Sequence, residues 1–497
     1  MTAATRASPV EATANDPGWK RVCGLLALFA IVYGARLWIV DACGSPVPFW
    51  DQWDVEWRKL FGPFLRGELS LSHFLQAHNE HRVVLTRLLA LGLLQLDGMW
   101  DPRLEMVVNA AIAAGSATLM AHLLLLEIGG AWWRPVVSAV ALLWALPYGF
   151  ENTIWGIQSV VYFMVLFSFL ALWGLACGPP YSIRWWIGLA SAFLACLTMA
   201  SGFLAGLVVV ACRCLAIALN RRTWRTHWLT LLVCLVCAAV SLLLTPHVSK
   251  HEVLHAKGLR YFLESLFKHL SWPATRQPVA FLLFQVPLFA NARALFREKS
   301  PQPARWFLLG LGIWAVLQAG ILAYGRGGLG WGPQSRYQDP LAIGFLASFV
   351  ALLLEWPRIN RWIRYGWILF ALVGLIQGAS HDLRRSLPQQ RQHMLEQVRR
   401  CQTYVESHDP GVLSASLQFL DIPYPDPEML RGYLDDPGVR RILLFIPGQE
   451  ANARWPTQIA KCLLKGSRGI LLLGIFGLLA SLLPKRGTLK RNQECTS

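Results

Sequence analysis

Apolar runs separated by short polar gaps recur along almost the whole chain. The first occupies 22–40, directly after Lys20 and Arg21. At roughly 19 residues it is long enough, as a helix, to cross a hydrocarbon core of about 30 Å. Further runs follow at 104–126, 135–150, 159–176, 185–197, 203–219, 227–245, 279–291, 306–324, 341–356, 365–379 and 468–483. The pattern predicts an all-α polytopic membrane protein with about twelve transmembrane helices. The first run exceeds the usual apolar core of a secretory signal and lacks a small-residue cleavage site, so an uncleaved anchor is expected.

The segment 83–96 sets the topology. A helix there is only about 21 Å long and carries Arg87, so it is expected to lie along the membrane surface. With that segment out of the bilayer, one side collects Arg134, Arg184, Arg221 with Arg222 and Arg225, Arg293 with Arg297 and Lys299, Arg358 with Arg361 and Arg364, and Lys485 with Arg486. The positive-inside rule makes that side the cytoplasm and places both termini there. The resulting division is a disordered cytoplasmic N-terminus (1–21), a transmembrane module (22–380) with a first outer loop (41–103), an extracytoplasmic segment (381–465), and a last helix with a basic tail (466–497). Shorter outer segments fall at 151–158, 246–278 and 325–340. The 381–465 segment is a lid candidate; Met394, Leu395, Val398 and Val405 recur in it at helical spacing and YPDP at 424–427 marks a turn.

Composition agrees with this picture. Hydrophobic residues make up 55% of 497 positions, charged residues only 15%, and the mean hydropathy is +0.40, well above a soluble globular chain. A net charge of +17 is read as membrane topology, since its residues sit in gaps between apolar runs, and no nucleic-acid partner is expected. Cys234 and Cys237 form a C-x-x-C inside an apolar stretch without polar neighbours, which reads as packing. No phosphate-binding loop or dinucleotide fingerprint occurs.

Chemistry concentrates in the first outer loop. PFWDQWDVEW carries Asp51 and Asp54, with Glu56 close behind, and HNEHR carries His78, Glu80, His81 and Arg82. Such groups resist leaving water unless paired, so their gathering beside a membrane reads as a site. Asp51 and Asp54, three apart, share a face if their turn is helical. Trp50, Trp53 and Trp57 between them read as an interfacial aromatic belt. His78 with His81 and Asn79 with Arg82 are also three apart, so a helical HNEHR turn would converge on one anion. A divalent cation is the competing ligand, held by the two histidines with Asp51 and Glu80; a solvated helix cap is the plain structural account. Glu151 and Gln158 bracket the outer turn at 151–158, and Arg336 and Tyr337 follow a glycine-rich outer loop, where a guanidinium suits a phosphate or snorkels to headgroups.

The order of these features, chiefly over 22–219, resembles the C-type glycosyltransferase (GT-C) superfamily of polytopic enzymes that use polyprenyl-phosphate sugars. In that pattern Asp51 takes the place of the acidic residue after the first span, 78–82 the histidine run, and Gly98 and Arg103 the lead-in to the second span. The family's adjacent acidic pair is D-x-x-D here, and its H-P-P-L-like run is HNEHR. The resemblance implies transfer of a sugar from a polyprenyl-phosphate donor to a glycan, lipid or protein acceptor at the outer face of the cytoplasmic membrane. Asp51 would then be the base or a metal-binding residue, with Asp54 in support. His78, Glu80, His81, Arg82, Glu151, Arg336 and Tyr337 are the expected substrate-binding residues.

Two other classes stand beside this one. His251, Glu252 and His255 form H-E-V-L-H, the spacing of a zinc hydrolase helix, although Tyr261 stands where the longer form of that motif needs a third ligand. A transporter would show repeated halves and midplane charges; Arg36 and Glu127 are expected near span ends and no repeat is visible.

Overall fold

The computed structural model describes residues 18–219, 223–414 and 420–483. The expected disordered N-terminal stretch up to residue 17 and the basic tail from 484, with Lys485 and Arg486, lie outside them, as do Arg221 and Arg222. Residues 18–21, assigned to that N-terminal stretch, are helical, and Lys20 is buried and donates to the Leu483 carbonyl oxygen at 2.6 Å.

All twelve apolar runs form helices, and no strand occurs among the described residues. Eight helical segments are long and apolar enough to cross a membrane; the pair Trp455–Lys465 and Ser467–Leu482, bent by 61°, makes a ninth if taken as one span. The helices Trp133–Ala145, Ile183–Cys196 and Ala280–Arg297 fall short of that length or apolarity. Local chemistry sets the ends. Pro102 occupies the first turn of Pro102–Ile128 while the Asp101 carboxylate accepts from the Arg103 amide at 2.9 Å. Gly98, at φ +81°, stops Val84–Asp97 where a side chain would be strained.

The first and last long helices pack antiparallel through small residues. A Cβ on Gly34 would lie 2.4 Å from the Leu471 amide nitrogen, and one on Gly474 2.6 Å from that of Ile31. The described ends at Gly18 and Leu483 therefore share one end of the bundle.

Arg36, on the first helix, is 3% exposed. Its guanidinium pairs with Asp339 at 3.1 Å and donates to Thr153 Oγ1 at 3.0 Å and to the Tyr162 hydroxyl. Asn152 Nδ2 donates to the other Asp339 oxygen at 2.8 Å and to the Arg336 carbonyl oxygen at 3.0 Å. Glu127, by contrast, closes a helix end, 2.7 Å from Arg184.

A second core lies outside the bundle and joins the 41–103 loop to the 381–465 segment. Trp53 and Trp57 belong to it, which corrects their assignment to an interfacial belt. Trp53 is fully buried and stacks on Tyr433, ring centroids 5.3 Å apart and planes 2° from parallel. Trp100 exchanges backbone bonds with Ile442 and Leu444 at 2.7 and 3.1 Å. The belt reading failed because it judged the indoles by local sequence, whereas distant tyrosines and aliphatic residues cover them. Val398 and Val405 add to this core from Leu387–Ser407, while Leu395 stays exposed. The short helix Val84–Asp97 packs between this core and the bundle; Arg87 is buried in it, donating to the Phe74 and Gln76 carbonyl oxygens at 2.9 and 2.6 Å.

Removing one partner of the Arg36–Asp339 pair strands a buried charge. Arg36→Met is expected to cost about 3–5 kcal/mol of stability, and Arg36→Met with Asp339→Leu markedly less. Thermal unfolding in detergent compares them; equal losses in the single and double variants would contradict the coupling.

Candidate functional site

Asp51 stands where the chain turns from the first helix into a π-helical stretch, Trp53–Phe61. Trp50 before it has φ +46°, and its amide donates to the Pro423 carbonyl oxygen at 2.8 Å, so the 420s fix the turn that aims Asp51. His78 Nε2 lies 3.0 Å from Asp51 Oδ1. The two expected halves of the site therefore meet.

HNEHR is not helical. His78 and His81 exchange backbone bonds at 2.8 and 2.9 Å around a tight turn, with Asn79 at φ +49°, a conformation asparagine tolerates better than most residues. The turn sends the side chains apart. His78 and His81 line a cavity of about 420 Å³ with Asp51. Glu80 instead pairs with His251 Nδ1 at 2.6 Å. Arg82 turns away, donating to the Leu75 carbonyl oxygen at 2.8 Å and to that of Leu244, and ties the loop to the end of Trp224–Leu243.

The opposite wall of the cavity carries Lys250, His251, Arg326, Arg336 and Tyr337. Arg326 Nε donates to the Tyr337 hydroxyl at 3.1 Å, and Arg336 Nη2 to Gln334 Oε1 at 2.8 Å. Glu151 accepts from the Arg336 amide at 2.9 Å and lines a separate cavity of about 410 Å³ with Trp272, Arg276 and Asp382. It positions the Arg336 wall from behind. The roof comes from the 381–465 segment through Tyr424, Asp426 and Met429. Asp54 ties that roof down: its two oxygens accept from the Tyr424 and Tyr433 hydroxyls at 3.2 and 3.3 Å, and Arg58 pairs with it at 3.2 Å.

Lys250, Arg326 and Tyr424 were not among the expected site residues, and His251 was expected only within HEVLH. Arg326 shares the glycine-rich loop of Arg336, which was the available signal; Tyr424 read only as part of a turn. The HEVLH histidines do not share a helix face. Ser249–Leu254 is a 3₁₀ turn, His255 lies beyond it with its ring 5.0 Å from that of Tyr324, and Glu252 pairs with His247 at 2.9 Å. The expected oxygen and nitrogen shell for a divalent ion is likewise dispersed by the Glu80–His251 pair. Among the described residues, no three His, Cys, Asp or Glu side chains are grouped to hold a metal.

The surroundings tune the titrating groups. Burial disfavours charge on Asp51, but the hydrogen bond from His78 and the field of His78, His81 and Arg336 outweigh it and hold the carboxyl below its ordinary range. The side chain nevertheless keeps 47% of its surface open to the cavity. Burial, reinforced by His78 and Arg326, pushes His81 down to about 4 against the pull of Glu80 and Asp51. Its Nδ1 accepts the Ala200 amide at 3.1 Å, so the neutral ring carries its proton on Nε2. Glu56, wholly buried on the same stretch as Asp51, is pushed up to about 7 by desolvation, although Gln52 Nε2 and Trp100 Nε1 each donate to it at 3.1 Å. Gln52 also bonds Glu105 at 2.9 Å. A Cβ on Gly156 would meet Glu105 Oε2 at 2.2 Å, so a side chain there would displace the carboxylate and Gln52.

No protein-family model matches this chain, and no curated protein sequence matches it.

Between its folded value of about 4 and the ordinary 6.5, His81 binds a proton only when the chain is unfolded. Stability therefore falls as pH drops through that window. His81→Asn, which can keep an acceptor near Ala200, is expected to flatten the decline in melting temperature between pH 7 and pH 5; an unchanged slope would count against the buried neutral ring. Glu56 has the opposite sign, since its folded value near 7 lies above the ordinary 4.5 and stability is lost as pH rises through that interval. Glu56→Gln should gain more melting temperature over the wild type at pH 8 than at pH 5; a gain independent of pH would refute the shift.

Proposed function

We propose that the protein is a membrane glycosyltransferase of GT-C type, moving a sugar from a polyprenyl-phosphate donor to an acceptor hydroxyl at the outer face of the cytoplasmic membrane. In this reading all twelve apolar helices cross or re-enter the bilayer, both termini are cytoplasmic, and the Asp51 cavity faces outward. The observation that carries it is the pairing of a solvent-open, ionised Asp51 with cationic side chains across one cavity. A transfer of this kind needs a group to take the acceptor proton and positive groups to hold the departing phosphate.

Asp51 orients the acceptor hydroxyl and takes its proton as the hydroxyl oxygen bonds to the anomeric carbon. The anomeric carbon–oxygen bond to phosphate breaks, and the electron pair leaves with the phosphate. Lys250, Arg326 and Arg336 hold that phosphate, and His81 offers an Nε2–H. Attack opposite the leaving group inverts the anomeric centre. Asp54 acts through the roof, and no step is assigned to a metal.

Asp51→Asn is expected to lower turnover at least about 10²-fold without changing membrane insertion, assayed with a panel of polyprenyl-phosphate hexoses and pentoses. Arg326→Ala should raise the donor KM more than it lowers kcat. Undiminished turnover in Asp51→Asn would reject the base assignment.

A further inference from the structure

A cavity of about 800 Å³ lies between Ala280–Arg297 and the end of Gln338–Leu354. It is at the opposite end of the bundle from Asp51. Pro303–Gly325 starts near it, with Arg305 in its first turn, and runs to Arg326 in the Asp51 cavity, a helix about 35 Å long.

The acidic groups of this cavity are already committed. Glu355, fully buried, binds Arg305 and, at 2.9 Å, Arg358. Glu298 pairs with Arg305 at 3.0 Å. Arg293 and Arg297 line the same cavity, are exposed, and have no carboxylate within ion-pair distance among the described residues. Two guanidinium groups are thus left with unspent charge.

Their placement has a polarity. Val286, Phe289, Arg293 and Arg297 recur along one face of their helix, apolar toward the middle of the bundle and basic toward its end. Phe289 is 71% exposed and Val286 half-buried, so among the described residues this stripe stays partly open. An anion with an attached hydrocarbon matches both halves, and guanidinium pairs suit a phosphate diester. Basic pockets between membrane helices are a known form of headgroup site. We propose that this groove binds an anionic glycerophospholipid, its phosphate on Arg293 and Arg297 and an acyl chain along Val286 and Phe289. Free phosphate would use the arginines alone and leave the apolar half bare.

The test uses the full chain in phosphatidylcholine nanodiscs doped with phosphatidylglycerol, released and weighed by native mass spectrometry. The wild type should retain phosphatidylglycerol over phosphatidylcholine, Arg293→Ala with Arg297→Ala should lower that retention roughly tenfold, and Arg293→Lys with Arg297→Lys should keep most of it. Equal retention of the two lipids by the wild type overturns the proposal, as does undiminished retention in the alanine pair. So does thermal stabilisation by inorganic phosphate equal to that by phosphatidylglycerol. If the alanine pair does not fold, the wild-type lipid preference decides the question. The readout is bound lipid, so it is independent of any transfer activity at Asp51.

Discussion

A guanidinium buried among apolar helices has to be paired, and the pairing of Arg36 organises the wall of the candidate site. Asp339 answers Arg36 with one oxygen and Asn152 with the other, while Asn152 also holds the Arg336 carbonyl. Three distant parts of the chain are thereby fixed to one another: the first helix, the turn after residue 149, and the loop that presents Arg336 and Tyr337. The Ser335 hydroxyl donates to the Tyr148 carbonyl oxygen at 2.7 Å and accepts the Glu151 amide at 3.2 Å, extending the same clamp. Because the charges are removed from water, their geometry is strongly constrained; a site wall resting on them has little freedom to drift.

The half of the site formed by the 41–103 loop and the 381–465 segment depends on packing. Trp53, Phe61, Trp100 and Tyr433 form a compact aromatic group, with Trp100 edge-on to both Trp53 and Phe61. Through it the 381–465 segment is built into the 41–103 loop. Its roof over the cavity, tied to Asp54 by two tyrosines, is coupled to the same π-helical stretch that follows Asp51. A displacement of the roof would therefore be felt at the candidate base. The segment expected as a lid candidate is thus packed against the 41–103 loop through a shared core.

What the sequence made legible follows from how local each signal is. Apolar length and spacing are local, and every helix they predicted is present. The meeting of Asp51 with His78 was also legible, since two sets of groups that avoid burial shared one loop. The HNEH turn was not, because three-residue spacing fits a hairpin as well as a helix, and it was backbone bonding to Leu197 and Thr198 that fixed the chain just beyond it. Glu80 with His251 joins positions 171 apart, and no local pattern encodes that pair. HEVLH looked like a motif for the same reason: spacing was visible, partners were not. Arg82 and Arg87 illustrate a further limit, for an arginine bonded to carbonyls has the same sequence appearance as one waiting for a ligand.

Two carboxylates on one short stretch show how far environment, rather than residue type, decides chemistry. Asp51 and Glu56 are five residues apart, which on an ordinary helix is about 140° around the axis. One faces the cations of the cavity and is held below the ordinary carboxylate range; the other faces Gln52, Trp100 and Glu105 in the core and is pushed up to about 7. Such divergence is how neighbouring acids acquire separate roles. Glu56 does not line the cavity, and its raised value is the consequence of its burial. A low value makes Asp51 a weak base, and this bears on the proposed transfer. If the bond to phosphate is largely broken before the acceptor bond forms, the acceptor hydroxyl becomes acidic only late. A weakly basic carboxylate, already ionised and aligned, is then sufficient. The cations opposite matter more in that order of events, because they stabilise charge on the phosphate from the outset.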